Sequence, residues 1–160
     1  AQYDQSDYGL YADFLKPVLY NTPAGARFMN FSDSWQKGVL ADATPDGAYN
    51  ALATILNLDE FIAPRSEAAL AGFTADYVKQ WTANLVADTG GKCKVYPGIG
   101  AGVGDGGKSK AITPEEIKAA THAGFDGGGS GVLISRNYSE AELRNLRAVG
   151  EVLKERGLWE

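Results

Sequence analysis

Between Thr74 and Glu160, helix-type and strand-type segments alternate, and that order constrains the fold more than any other property of the chain. Tyr77, Val78, Trp81, Leu85 and Val86 recur at helical spacing until Gly90-Gly91 stops the run. KCKVYPGIGAG follows as a brief β-type run that passes directly into a glycine-dense loop. Thr113 as N-cap, Pro114 at the first helical position and Glu115-Glu116 in the first turn then predict a helix ending at Gly124. Residues 127–138 hold the apolar core Val132-Leu133-Ile134, as expected of an internal parallel strand. A last helix is predicted over 139–156, with Ser139 as N-cap, Leu143, Leu146, Val149, Val152 and Leu153 on one stripe, and Gly157 as the stop. An earlier strand is predicted over 13–20, where DFLKPVLY ends at Asn21-Thr22-Pro23 and Pro17 removes one ladder donor. This alternation defines an α/β fold with a parallel sheet, either an open doubly wound sheet or part of a (β/α) barrel.

The rest of the chain is less regular. Residues 1–12 are polar, rich in tyrosine and without period, so they read as a lead-in loop, with residues 13–160 as a single α/β domain. Between 31 and 65, Ser32 and Thr44 or Asp46 are candidate N-caps for two short helices. No stretch approaches the roughly twenty apolar residues of a membrane span, so no membrane is expected. A net charge of −5 without a Lys/Arg cluster argues against nucleic acid as a partner. The single cysteine, Cys93, excludes an internal disulfide framework and a thiolate metal cluster. The Ala-Gln start and polar segment after it match a chain left by signal cleavage or cut from a longer protein, so localisation stays open with a lean toward secreted or periplasmic.

In parallel βα folds the functional groups sit at the carboxyl ends of the strands. That rule selects Tyr20, Asn21 and Arg27 after the first strand, Tyr96, Asp105 and Lys108 around the second, and Ser135, Arg136, Asn137 and Tyr138 after the third. Sugars suit such a set, because their hydroxyls need amide, guanidinium and carboxylate partners while their C–H faces lie on aromatic rings. Tyr20, Asn21, Arg27, Tyr96, Arg136 and Asn137 are therefore the candidate substrate contacts. The competing structural reading makes the tyrosines strand-end core residues and pairs Arg136 with a nearby carboxylate.

Glycoside hydrolysis ordinarily needs two carboxylates flanking the scissile bond, and the chain presents no obvious pair. Asp105 is the best acid on offer and the candidate catalytic residue, although an aspartate in a glycine-rich loop equally suits a turn. Asp33 and Asp42 are explicable as helix caps or surface charge. His122 falls inside a helix with no cysteine or second histidine to build a metal site, so no metal ligand is assigned and no cofactor is implied. Ser135 lacks the G-x-S-x-G elbow of a serine hydrolase. GIGAGVGDGG has a G-x-G-x-x-G-like spacing, but Lys108-Ser109-Lys110 separates it from the helix, which weakens a dinucleotide reading.

Several segments resemble known proteins. VYPGIGAG, TPEEIKAATHAGFDGGGSGVLISRNY and AELRNLRAVGEVLKERG resemble the carboxyl-terminal third of bacterial glycoside-hydrolase-like (β/α)8 proteins, and FLKPVLYNTPAGARF resembles another strand and its following loop in the same proteins. The resemblance implies a partial (β/α)8 TIM-type barrel, about three carboxyl-terminal βα units, holding the sixth to eighth strands. A barrel of this kind needs about 250 residues, so another polypeptide chain or a second copy is expected to complete it. The strand ending at Tyr96-Pro97 lacks the glutamate that many retaining barrel glycosidases carry at the end of their seventh strand. The expected function is a carbohydrate-active, glycoside-hydrolase-like protein that binds or hydrolyses an oligosaccharide or polysaccharide. The alternatives are a non-catalytic carbohydrate-binding subunit and a phosphosugar-binding barrel enzyme with Lys108 at an anion site.

Overall fold

The computed structural model describes residues 7–102, 110–135 and 141–160. Their elements run α1 (Tyr8–Tyr11), β1 (Phe14–Leu15), α2 (Asn21–Gln36), α3 (Pro45–Ile55), α4 (Arg65–Ala71), α5 (Ala75–Asp88), β2 (Lys94–Val95), β3 (Gly98–Gly100), α6 (Pro114–Asp126), β4 (Leu133–Ser135) and α7 (Leu143–Glu155). The strands are short because prolines interrupt them. Phe14 and Leu15 pair in parallel with Lys94 and Val95, while Gly98, Ile99 and Gly100 pair in parallel with Leu133, Ile134 and Ser135. Between the two ladders, Val18 bridges Gly98, so residues 94–101 form the middle strand of one parallel layer. Pro17 and Pro97 have no N–H to donate, but their carbonyls accept from Gly98 and Leu133 at 2.8 and 3.0 Å and carry the pairing past the break.

Successive residues of a strand point to opposite faces, and this periodicity sorts the layer. Leu19, Ile99, Ala101 and Ile134 point to one face and share a core with Val78 of α5, Ile117, Ala120 and Ala123 of α6, and Ala148 and Val149 of α7. All three helices of the alternating region therefore cover the same side of the sheet, with α6 packed between α5 and α7. Burial of these apolar side chains drives the layer together. The chain is an α/β protein whose strands pair in parallel as two small two-stranded sheets, joined at the Val18–Gly98 bridge.

Several boundaries differ from those read along the sequence. The helix starting at Pro114 runs past Gly124 to Asp126, because a side chain at position 124 would lie 2.9 Å from the Pro97 ring and the missing Cβ lets helix meet strand. The start is as expected, and is completed by a capping box in which Thr113 Oγ1 accepts from Glu116 N and Glu116 accepts from Thr113 N. The segment DFLKPVLY is followed by a 16-residue helix rather than a loop, with Tyr20 as N-cap and Pro23 in the first turn. Ser32 is consequently no cap: it is buried within α2 and donates to the Met29 carbonyl at 2.8 Å. Thr44 does cap α3, accepting from Gly47 N at 3.1 Å. The lead-in segment contains one helical turn, α1. The stripe predicted for the last helix splits, since Val149 and Val152 are buried while Leu143 and Leu146 are exposed. Ser139 lies outside the described residues, and Glu142 is the N-cap of α7.

Helices α2, α3 and α4 build a second core from Phe28, Tyr49, Leu52, Ala53, Leu58, Ala68 and Phe73, with Tyr77 packed against it. This helical insertion follows β1 and precedes α5, so it sits on the carboxyl side of the first strand. Its closest approach is Gly25 of α2 against α4, where a Cβ would lie 1.9 Å from the Ala68 carbonyl oxygen. Gly25→Ala is expected to cost about 3 kcal/mol, seen as a lower urea midpoint with an unchanged slope; an unchanged midpoint would show that α2 and α4 do not pack this closely.

The other end of the helical layer is tied by charge. Arg156 donates to Asp126 Oδ1 at 2.5 Å and its Nε donates to His122 Nδ1 at 3.2 Å, so His122 serves the contact between α6 and α7. The Arg156 hydrogen bond holds the Asp126 carboxyl below its ordinary value of 3.8. A depressed carboxylate pKa stabilises the fold above the unfolded value, and the contribution is lost as pH falls through the folded one. Both groups are partly exposed, so Asp126→Asn is expected to remove less than about 1 kcal/mol at pH 7, with the difference from the parent closing below pH 4 in an acid unfolding series.

Candidate functional site

The face of the sheet opposite the helices is the chemically distinctive one. Register places Phe14, Lys16 and Val18 of the first strand, Lys94, Tyr96 and Gly98 of the middle strand and Leu133 and Ser135 of the third strand on it. Phe14, Val18 and Leu133 are 53%, 57% and 38% exposed, an unusual degree for apolar residues of a parallel sheet. Both edges of the sheet are open among the described residues. Lys16 and Val18 turn their main-chain N–H and C=O away from the middle strand, as do Val132 and Ile134 on the far side.

Lys16 crosses this face. Its Nζ donates to the Tyr20 hydroxyl at 2.9 Å and to Ser135 Oγ at 3.3 Å, reaching from the first strand to the third. The crossing requires glycine beneath it, because a Cβ on Gly98 would lie 2.6 Å from Lys16 Cε. Lys16 Nζ is 5.2 Å from the centre of the Tyr20 ring, and the Arg27 guanidinium stands 6.0 Å from the same ring. Two strand-end residues selected by sequence, Tyr20 and Arg27, thus meet, and Ser135 joins them through Lys16. Lys16 itself was missed, because a mid-strand lysine beside a proline carries no motif; Gly98, opposite Val18 on the middle strand, is the trace of its path.

Beside Tyr20 and Arg27 lies an open groove of about 400 Å³ lined by Val18, Phe28, Phe31, Phe73, Tyr77 and Trp81 among others. Its aromatic wall is continuous: Phe73 meets Tyr77 edge to face at 5.0 Å, and Tyr77 meets Trp81 at 6.0 Å. Burial holds the Tyr77 phenol above its ordinary value of 10.0, so it stays neutral throughout the physiological range.

The remaining candidates lie apart from this group or outside the described residues. Asn21 is buried, and its side-chain amide donates to the Phe73 carbonyl at 3.1 Å while Phe73 N donates back to the Asn21 carbonyl at 2.8 Å. It fastens α2 to the start of α5. Tyr96 does not end its strand, which continues through Pro97 to Gly100; its ring stacks edge to face on Phe14 at 5.7 Å and covers Gly131 in the amino half of the sheet. It stands four positions before Gly100, about 13 Å along the strand. Asp105, Arg136 and Asn137, with Lys108 and Tyr138, lie outside the described residues. Asp33 pairs with Arg65 at 2.6 Å on the helical insertion. Among the described residues no group of three or more His, Cys, Asp or Glu side chains is placed to hold a metal ion, and no helix is long and apolar enough to cross a membrane.

Asn145 of α7, fully buried, is a second residue without a sequence signal. Its Nδ2 donates to the carbonyls of Ala101 at 3.3 Å and Ile112 at 2.9 Å, gripping both flanks of the glycine-rich segment, while its Oδ1 has no partner among the described residues. Asn145→Ala is expected to cost about 2 kcal/mol by stranding two buried carbonyls. Asn145→Asp should cost more at pH 7, where a carboxylate would face those carbonyls, and should recover as pH falls and the buried acid protonates. Urea unfolding at pH 7 and pH 5 checks both; equal losses for the two variants at both values would remove the assigned grip.

The geometry defines a parallel α/β protein with helices on one side of its sheet and a basic, aromatic cluster at the carboxyl end of the other. No family model, curated protein or solved structure matches the chain.

Proposed function

We propose that the chain forms the carboxyl-terminal part of a carbohydrate-binding, glycoside-hydrolase-like (β/α) barrel, and that it holds an oligosaccharide or polysaccharide at the carboxyl ends of its strands. The observation that carries this reading is the meeting of Tyr20, Arg27 and Lys16 with an aromatic groove at that end. Aromatic rings match the C–H faces of sugar rings, and cationic and hydroxyl donors match their oxygens. The one-sided helical layer supports a barrel wall over a doubly wound sheet, whose helices lie on both faces. The exposed apolar residues of the uncovered face, together with two edges unpaired among the described residues, support a completing partner, either another chain or a second copy.

Binding comes before hydrolysis in this reading. No carboxylate belongs to the Lys16, Tyr20, Arg27 and Ser135 cluster among the described residues, whereas glycoside hydrolysis uses two. The acids of a hydrolase would come from Asp105 or from the completing units.

Calorimetric titration with neutral and acidic oligosaccharides tests the proposal. Binding is expected, with Trp81→Ala and Arg27→Ala each weakening it about tenfold. Absence of binding by every sugar at millimolar concentration sinks it. Native mass spectrometry addresses the partner: assemblies above 17.0 kDa are expected, and a lone monomer with no co-purifying chain would remove the completing unit.

A further inference from the structure

The Lys16 cluster carries more positive charge than a neutral sugar needs. Arg65, Lys110, Lys118 and Arg156 each have a carboxylate partner, on Asp33, Glu116, Glu151 and Asp126. Lys16 and Arg27 have no such pair among the described residues, as several other lysines have not, and are set apart by flanking one tyrosine ring, in a chain whose net charge is −5. Lys16 is also oriented. Two neutral hydroxyls, Tyr20 and Ser135, hold its ammonium, and the bare surface of Gly98 gives its stem a track across the sheet. Hydroxyl partners fix the position of the ammonium without cancelling its charge, and an ammonium has a third N–H beyond the two used here. An oriented cation with a third donor uncommitted among the described residues, beside a second cation and an aromatic wall, matches a ligand that joins a sugar ring to an anion.

We infer that the saccharide recognised here bears an anionic group, a uronate-type carboxylate or a phosphate ester, which Lys16 and Arg27 take together. The inference rests on the carbohydrate reading and deepens it by naming the substrate class. The anion lies at the carboxyl end of the sheet, against Lys16 Nζ, while its sugar ring lies toward the groove that begins at Tyr20. Lysine supplies a point charge there and arginine a planar fork, so the pair accommodates the planar carboxylate and the tetrahedral phosphate alike.

Calorimetric titration of the 160-residue chain with three probes decides the matter: an oligogalacturonate, a neutral cello-oligosaccharide of the same length, and glucose 6-phosphate. A charged probe is expected to bind at least about tenfold more tightly than the neutral one at low salt, with the advantage shrinking as ionic strength rises. Which charged probe prevails identifies the anion. Lys16→Met is expected to erase about tenfold of the preference and Lys16→Arg to retain most of it, with circular dichroism verifying the fold of each; Arg27→Gln provides an independent variant. Equal affinity for charged and neutral sugars, or a preference that survives both Lys16→Met and Arg27→Gln, overturns the inference and leaves the carbohydrate proposal standing. Failure of all three probes overturns both.

Discussion

The middle strand, residues 94–101, is the constraint on which the rest of this structure depends. It is hydrogen-bonded on both sides, and its inward residues Val95, Ile99 and Ala101 lie at the base of the helical layer. Because the pairing is parallel, each return path must cross the sheet, and α5 and α6 make those crossings over the same face. Among the described residues the other face has no helical cover. Its composition then becomes informative: an apolar stripe of Phe14, Val18 and Leu133 next to a lysine that spans the strands.

The two interrupting prolines have a similar double effect. Each removes a donor from a ladder, which shortens the regular strands to two or three residues, yet the carbonyl of each still bonds across. The layer is consequently held as much by its side-chain core as by its ladders. Pro97 packs against Gly124 on the helical side, and the absent side chain at Gly98 leaves the track for Lys16 on the other. One proline-glycine step thus serves the packing of α6 and the chemistry of the open face at once.

The helical insertion explains why the candidate site is built as it is. By running from Tyr20 straight into α2, the chain holds the tyrosine at the strand end and brings Arg27 back toward its ring two turns later. Helices α3 and α4 back α2 through Tyr49, Leu52 and Ala68, and the far wall is closed by Phe73, just ahead of α5, and by Tyr77 and Trp81 of α5. Asn21, buried between α2 and α5, fixes the angle between those walls.

The sequence by itself determined the helices and their order. Periodicity, caps and stops are local, so the starts of α5 and α6, the cap at Thr44 and the stops at Gly90 and Gly157 were legible, as was the parallel α/β class that alternation demands. The strand-end rule also found Tyr20 and Arg27, which the fold brings together. Only tertiary structure decided what depends on a distant neighbour. Tyr96 read as a strand end because Pro97 follows it, and only pairing with Leu133 carries the strand onward. Ser32 read as a cap because the Asn21-Thr22-Pro23 signal suits a turn as well as a first helical turn, and only packing against α3 and α4 selects the long helix. Neither Lys16 nor Asn145 sits in a motif. Their partners lie on other strands and loops, at separations of 119 residues for Lys16 and Ser135 and 44 for Asn145 and Ala101, and contacts of that range leave no periodic trace in a chain.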